Sequence, residues 1–208
     1  MSQEVFEIVK KLNPHSLETQ LILQCSPLIA GMKTSNLLKI NSENEMDVYR
    51  LFAGTDISCY LLVRTGRKTV FLLYRKKMLC SHIGSCGCRS LLRSLGYENV
   101  DFEQLLRAVK AKYEEYTAGE GEFPHELGLL LGYPCEDVKG YMDDRGKNAL
   151  YTGYWQVYKD PAAKKKTFES YELAREKMAR LASMGMNLLQ IIAYWQTSGA
   201  AYGSPVMG

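Results

Sequence analysis

Phe123 to Tyr158 reads FPHELGLLLGYPCEDVKGYMDDRGKNALYTGYWQVY and concentrates five tyrosines, a tryptophan, five glycines, a histidine and a cysteine between two ordinary helical stretches. Folding alone needs few such residues in one place, so a site or a tight junction is expected here. Pro124 pre-sets φ for a helix start, and Glu126 suits the first turn, where the helix dipole favours an acid. A short apolar helix over His125 to Leu131 is expected, stopped by a left-handed Gly132. Pro134 then opens a second helix with Glu136 and Asp137 in its first turn. The polar loop Asp143 to Asn148 leads into Thr152 to Tyr158, whose aromatic and β-branched content predicts a strand. Asp160 and Pro161 start the next helix.

Working outward, helices are expected around Val5 to Leu12, Leu17 to Cys25 with an interruption near Pro27, Met46 to Ala53, Met78 to Leu95 in two pieces, and Asp101 to Tyr116. Helices are also expected over Phe168 to Leu181 and Leu188 to Trp195. Strands are expected at Leu37 to Ile40 and as a hairpin of Ile57 to Arg64 and Thr69 to Tyr74 about Thr65-Gly66. The result is an α+β (or α/β) fold with a small, mostly antiparallel or mixed sheet of about four strands covered by helices. Residues 1–196 are expected to form one domain and 197–208 a disordered tail.

FPHELGLLLGYPCEDVKGYM followed by GYWQVY closely resembles the bacterial family called domain of unknown function 3793. Cys25-Ser26-Pro27-Leu28-Ile29-Ala30-Gly31-Met32-Lys33 resembles that family's other signature, a cysteine followed by a proline and Gly-x-Lys. The resemblance spans roughly residues 15 to 180, with Thr34 standing where the family pattern has proline. It implies no activity.

A chain of 208 residues with 46% apolar composition can bury one sizeable core. It has no run of membrane-span length and starts with an acidic amphipathic pattern, so a cytoplasmic protein with no membrane partner is expected. Six cysteines are too sparse for a disulfide scaffold in a chain of this size, and thiols or ligands are expected. Between Asp56 and Glu98 there is no acid but eight lysines and arginines, among them Arg64, Arg67, Lys68, Arg75, Lys76 and Lys77. Such a block either grips an acidic partner or nucleic acid through the hairpin 64–77, or is a solvated face balanced by acidic helices; the second is commoner, so nucleic acid is not favoured.

Three constellations carry chemistry. Cys25, with His125 as base and Glu126, Asp137 or Asn148 as orienter, would make a cysteine-dependent hydrolase or transferase, although a helix-face cysteine is as readily core. Cys80, His82, Cys86 and Cys88 have ligand-like spacing for zinc or a cluster but match no standard finger or ferredoxin pattern. Lys33, Tyr133, Tyr154, Trp155 and Tyr158 could line a pocket for a flat small molecule, with haem (His125 axial) or flavin conceivable and packing between strand and helices the plainer alternative. No phosphate loop of the dinucleotide or P-loop type is present. The best reading is a small-ligand binding protein or enzyme, its cofactor unspecified, with a site around Phe123–Tyr158 and Cys25.

Overall fold

The computed structural model describes residues 7–10, 12–14, 16–98 and 101–198. β1 (Ser35–Asn41), β2 (Ile57–Thr65) and β3 (Lys68–Arg75) form an antiparallel sheet in the order β1-β3-β2, with Leu38 opposite Phe71 and Tyr60 opposite Leu72. Thr69 to Tyr74 are buried without a break, because helices cover both faces of the central strand.

One face carries Leu38, Ile40, Phe71 and Leu73. It packs on α1 (Leu17–Ile29), α2 (Glu45–Phe52), α8 (Pro161–Ser183) and α9 (Leu188–Ser198). The other carries Leu62, Val70, Leu72 and Tyr74 and packs on α3 (Lys76–Ile83), α4 (Cys86–Ser94), α5 (Phe102–Ala118), α6 (Leu127–Leu130) and α7 (Cys135–Asp143). The architecture is α+β, three layers with the sheet in the middle. Both sheet edges are blunted by side chains. Lys110 of α5 donates to the Leu61 and Leu62 carbonyls at the β2 bulge, and Gln24 of α1 hydrogen-bonds the backbone of Lys39 on β1.

The expected strand at Thr152 to Tyr158 does not join this sheet. It breaks into β4 (Tyr151–Thr152) and β5 (Gln156–Val157), a two-strand hairpin turning at residues 153–155. The physical reason is contact with α8. Gly153 lies so close to Phe168 that an added Cβ would sit 2.3 Å from the ring, and the chain turns there instead of running on. The turn overrides strand alternation, so Tyr154 and Trp155, neighbours that a regular strand would point to opposite faces, both pack on Phe168.

Three helix boundaries also differ from expectation: the helix expected over His125 to Leu131 spans only Leu127–Leu130, with Glu126 at its N-cap rather than in its first turn. α1 runs through Pro27 to Ile29 without the interruption anticipated there. Thr197 and Ser198 belong to α9, while the rest of the expected tail lies outside the described residues; of the expected first helix, residues 7–10 are helical and residues 5, 6 and 11 lie outside the described residues. The corner at Gly132 is as expected: φ is +70° between α6 and α7.

Candidate functional site

The C-terminus of α1 is built by its own sequence. Pro27 has no N–H, but its carbonyl accepts from the amides of both Met32 and Lys33, at 2.9 and 3.1 Å, so the chain folds back on itself after Gly31. Arg75, at the end of β3, donates Nε and Nη2 to the last-turn carbonyls of Leu28 and Ile29, each at 3.1 Å, placing a cation at the negative end of the helix. This turn carries Lys33 back beside Cys25.

Lys33 is only 5% exposed. Its Nζ donates to Asn36 Oδ1 at 2.9 Å and lies 5.3 Å from the centroid of the Tyr133 ring. Asn36 Nδ2 in turn donates to the Gln24 carbonyl at 2.7 Å and faces Cys25 Sγ at 3.6 Å, linking amine, amide and thiol in one line. Burial lowers the lysine pKa to about 8, outweighing the opposing influence of Cys25. Burial also pushes the Cys25 thiol up to about 12, so near neutrality it is a thiol and does not balance the lysine's charge.

Tyr133 stacks on Trp155 with ring centroids 5.1 Å apart. Behind them Asp137, 1% exposed, accepts from Trp155 Nε1 at 2.7 Å and from the amides of Tyr158 and Lys159 at 2.8 and 3.1 Å. The carboxylate thereby pins the β4–β5 hairpin to α7. Sequence reading placed Asp137 in a helix first turn or beside His125. Its burial, with three donors supplied from residues 155–159, is a tertiary fact that no local pattern announces.

Cys25, Lys33, Tyr133 and Trp155 are therefore brought together. Tyr154 stands nearby, donating to Glu172 at 2.9 Å and meeting the Tyr171 ring edge-on at 5.0 Å, while the Tyr158 hydroxyl is turned to Gln156. His125 and Glu126 are not part of this group. His125 packs between Phe123 and Tyr141, next to the α3–α7 layer, and its buried Nδ1 has no hydrogen-bond partner among the described residues. Glu126 accepts from Lys112 at 2.8 Å and from the Tyr97 hydroxyl, a structural ion pair. Cys25, by contrast, sits in the core of the opposite layer.

The four residues of the ligand-like cluster separate. His82 Nε2 meets Cys88 Sγ at 3.6 Å, and Cys88 lies by Cys135 of α7; Cys86 is exposed, and Cys80 neighbours Lys76 and Glu103. Among the described residues no group of three or more His, Cys, Asp or Glu side chains is placed to hold a metal ion. The six cysteines are free thiols. The basic block is partly neutralised: Arg64 pairs with Glu45, Arg75 with Asp56 and Lys76 with Glu103. No described helix is long and apolar enough to cross a membrane.

Fold and junction together define a three-layer α+β protein in which a helix-end turn, a glycine corner and an aromatic hairpin converge on a buried lysine. The family model for a protein of unknown function, DUF3793, matches residues 21–192, and the chain belongs to that family. That match spans both the Cys25–Lys33 turn and the Phe123–Tyr158 stretch. None of the curated proteins and none of the solved structures matches the chain.

Proposed function

We propose that the chain binds a small carbonyl compound at the junction of Lys33, Tyr133 and Trp155, and that the Lys33 amine reacts with it. The observation that carries this reading is a lysine 5% exposed whose pKa burial lowers to about 8. Near pH 7.5 such an amine is neutral in roughly a quarter of molecules, against about one in a thousand for an ordinary lysine. A neutral amine adds to a carbonyl carbon, its proton passes to the carbonyl oxygen, and water leaves to give an imine that water can reverse. Asn36 holds the amine by accepting a hydrogen bond from it, and the stacked rings supply a flat apolar wall. Cys25, a thiol rather than a thiolate, serves as packing behind the amine in this reading.

The test is reductive trapping. The protein is incubated with glyoxylate, pyruvate or glyceraldehyde and cyanoborohydride near pH 7.5, and adducts are mapped by peptide mass spectrometry. The expected outcome is preferential modification of Lys33 over exposed lysines such as Lys77, lost in Lys33→Arg. Labelling of surface lysines with Lys33 untouched by all three compounds would overturn the reading.

A further inference from the structure

A second feature lies apart from the lysine junction. Five rings follow one another from α5 to α7: Tyr113 to Tyr116 at 6.2 Å, Tyr116 to Phe123 at 5.3 Å, Phe123 to His125 at 6.0 Å and His125 to Tyr141 at 5.6 Å. Three of them are solvent-exposed to an extent unusual for packed rings: Tyr116 43%, Phe123 39% and Tyr141 37%. The Tyr116–Phe123 contact is edge-to-face, and His125 is inclined to both its neighbours, so the rings do not stack into a closed pile. The stripe presents aromatic surface to solvent.

Its surroundings are acidic. From Tyr113 to Val138 the chain has seven carboxylates and no lysine or arginine; Glu114, Glu126 and Glu136 pair with Lys110, Lys112 and Lys164 and Asp137 is buried, which leaves Glu115, Glu120 and Glu122. Glu120 and Glu122 are exposed on the loop leading to Phe123, and Glu115 lies beneath that loop, its Cβ 3.2 Å from where a Cβ on Gly121 would be. Asp144 borders the other end, close enough, with Tyr141, to help push the Tyr158 phenol up beyond what burial does. The flanking cations Lys112 and Lys139 are paired with Glu126 and Asp143, whereas none of Glu115, Glu120, Glu122 and Asp144 has an ion pair among the described residues. Arg145 and Lys147 follow Asp144, so the acidic excess is concentrated at the Tyr116–Phe123 end.

We infer that this stripe is a docking surface for an extended, arginine-bearing segment of a partner protein, with the guanidinium lying over Tyr116 and Phe123 and reaching Glu120 or Glu122. Charge complementarity selects a cationic occupant, and the rings select arginine over lysine. A planar guanidinium stacks on an aromatic face while its edge still donates to a carboxylate, and it is more weakly hydrated than an ammonium. Nucleic acid is disfavoured by the same carboxylates, because its phosphates would meet like charge.

The test uses the full chain and a fluorescent arginine–glycine repeat peptide, with lysine–glycine and glutamate–glycine peptides alongside, read by fluorescence anisotropy at low and moderate salt. The arginine peptide is expected to bind several-fold more tightly than the lysine peptide, and the glutamate peptide not at all. Tyr116→Ser with Phe123→Ser should weaken binding about tenfold. Glu120→Gln with Glu122→Gln, confined to an exposed loop, should weaken it several-fold and flatten its salt dependence. Urea midpoints of both double variants report whether the fold is retained. Absence of arginine-peptide binding, or affinity unchanged in the loop carboxylate variant, would overturn the inference. Neither result bears on trapping at Lys33, which lies at a separate junction.

Discussion

Lys33 Nζ lies 5.3 Å from the centre of the Tyr133 ring, so the turn that ends α1 and the corner between α6 and α7 meet although they are far apart in the chain. That contact fixes what each segment must do. The first returns a lysine into the protein, and the second must turn sharply enough to lay an aromatic ring over it.

The corner depends on Gly132. Its φ of +70° suits glycine, and an added Cβ would stand 2.1 Å from Thr34 Oγ1, next to Lys33. Gly132→Ala should cost about 2–3 kcal/mol, roughly 1 from the backbone and the rest from the clash. Adding Thr34→Ala should recover the clash portion only. Urea denaturation of the single and double variants checks this; a Gly132→Ala protein as stable as wild type would refute the close approach.

Asp137 holds the hairpin. Replacing it with alanine strands three donors, Trp155 Nε1 and the amides of Tyr158 and Lys159, and should cost about 3 kcal/mol or more. Asp137→Asn keeps an acceptor oxygen and should cost about half as much. A change in the environment-sensitive fluorescence of Trp155 should accompany the alanine change, and its absence would show that the indole is held by other contacts.

Glu126 links folding to acid. Burial alone would raise its pKa, but hydrogen bonds from Lys112 and Tyr97 outweigh burial and hold it below the ordinary carboxylate value. A carboxylate depressed in the folded state stabilises above its unfolded pKa of roughly 4.3, and that contribution is lost as pH falls through the folded value. The stability difference between wild type and Glu126→Gln should therefore shrink as pH drops below about 4.3. A difference that stays constant down to acid unfolding would contradict the ion pair.

Lys33 has the same sign of pH dependence, in a higher window, although here the charged form destabilises the fold. Its folded pKa, about 8, lies below the unfolded value near 10.5, so between those values the unfolded chain binds more protons and stability rises with pH. Below pH 8 both states are protonated, and the buried charge costs about a few kcal/mol. Lys33→Met should therefore be more stable than wild type near pH 7 by about 1–3 kcal/mol, after allowing for the lost bond to Asn36. That advantage should fade between pH 8 and 10. Chemical denaturation at three pH values reads it directly.

Local chemistry explains what the sequence made legible. The hairpin around Thr65-Gly66, the glycine stop at Gly132, and the helix starts at Asp101, Pro134 and Pro161 are encoded within a few residues and are found, whereas the helix expected right after Pro124 begins only at Leu127. The α+β class followed from them. Thr152 to Tyr158 has a strand's composition, but its course is set by Phe168 pressing on Gly153 and by Asp137 gripping Trp155, contacts from other elements. Pro27 suggested a break, yet neighbouring groups satisfy the helix end: Arg75 takes two carbonyls and the returning chain supplies two amides. Among candidate site residues, Lys33, Tyr133, Trp155 and Cys25 converge, although nothing in their spacing could reveal that Asn36 joins the amine to the thiol. His125 drew attention as the histidine of a conspicuous stretch, and its neighbours proved to be rings rather than a nucleophile.

The central claim is that burial makes the Lys33 amine available near neutral pH, and its own titration tests that most directly. Trace acetylation of the folded protein with acetic anhydride, followed across pH by peptide mass spectrometry and normalised to exposed lysines, yields the pKa of each amine. The account predicts half-maximal reactivity of Lys33 near pH 8. A midpoint near 10.5, the ordinary value for lysine, would contradict it.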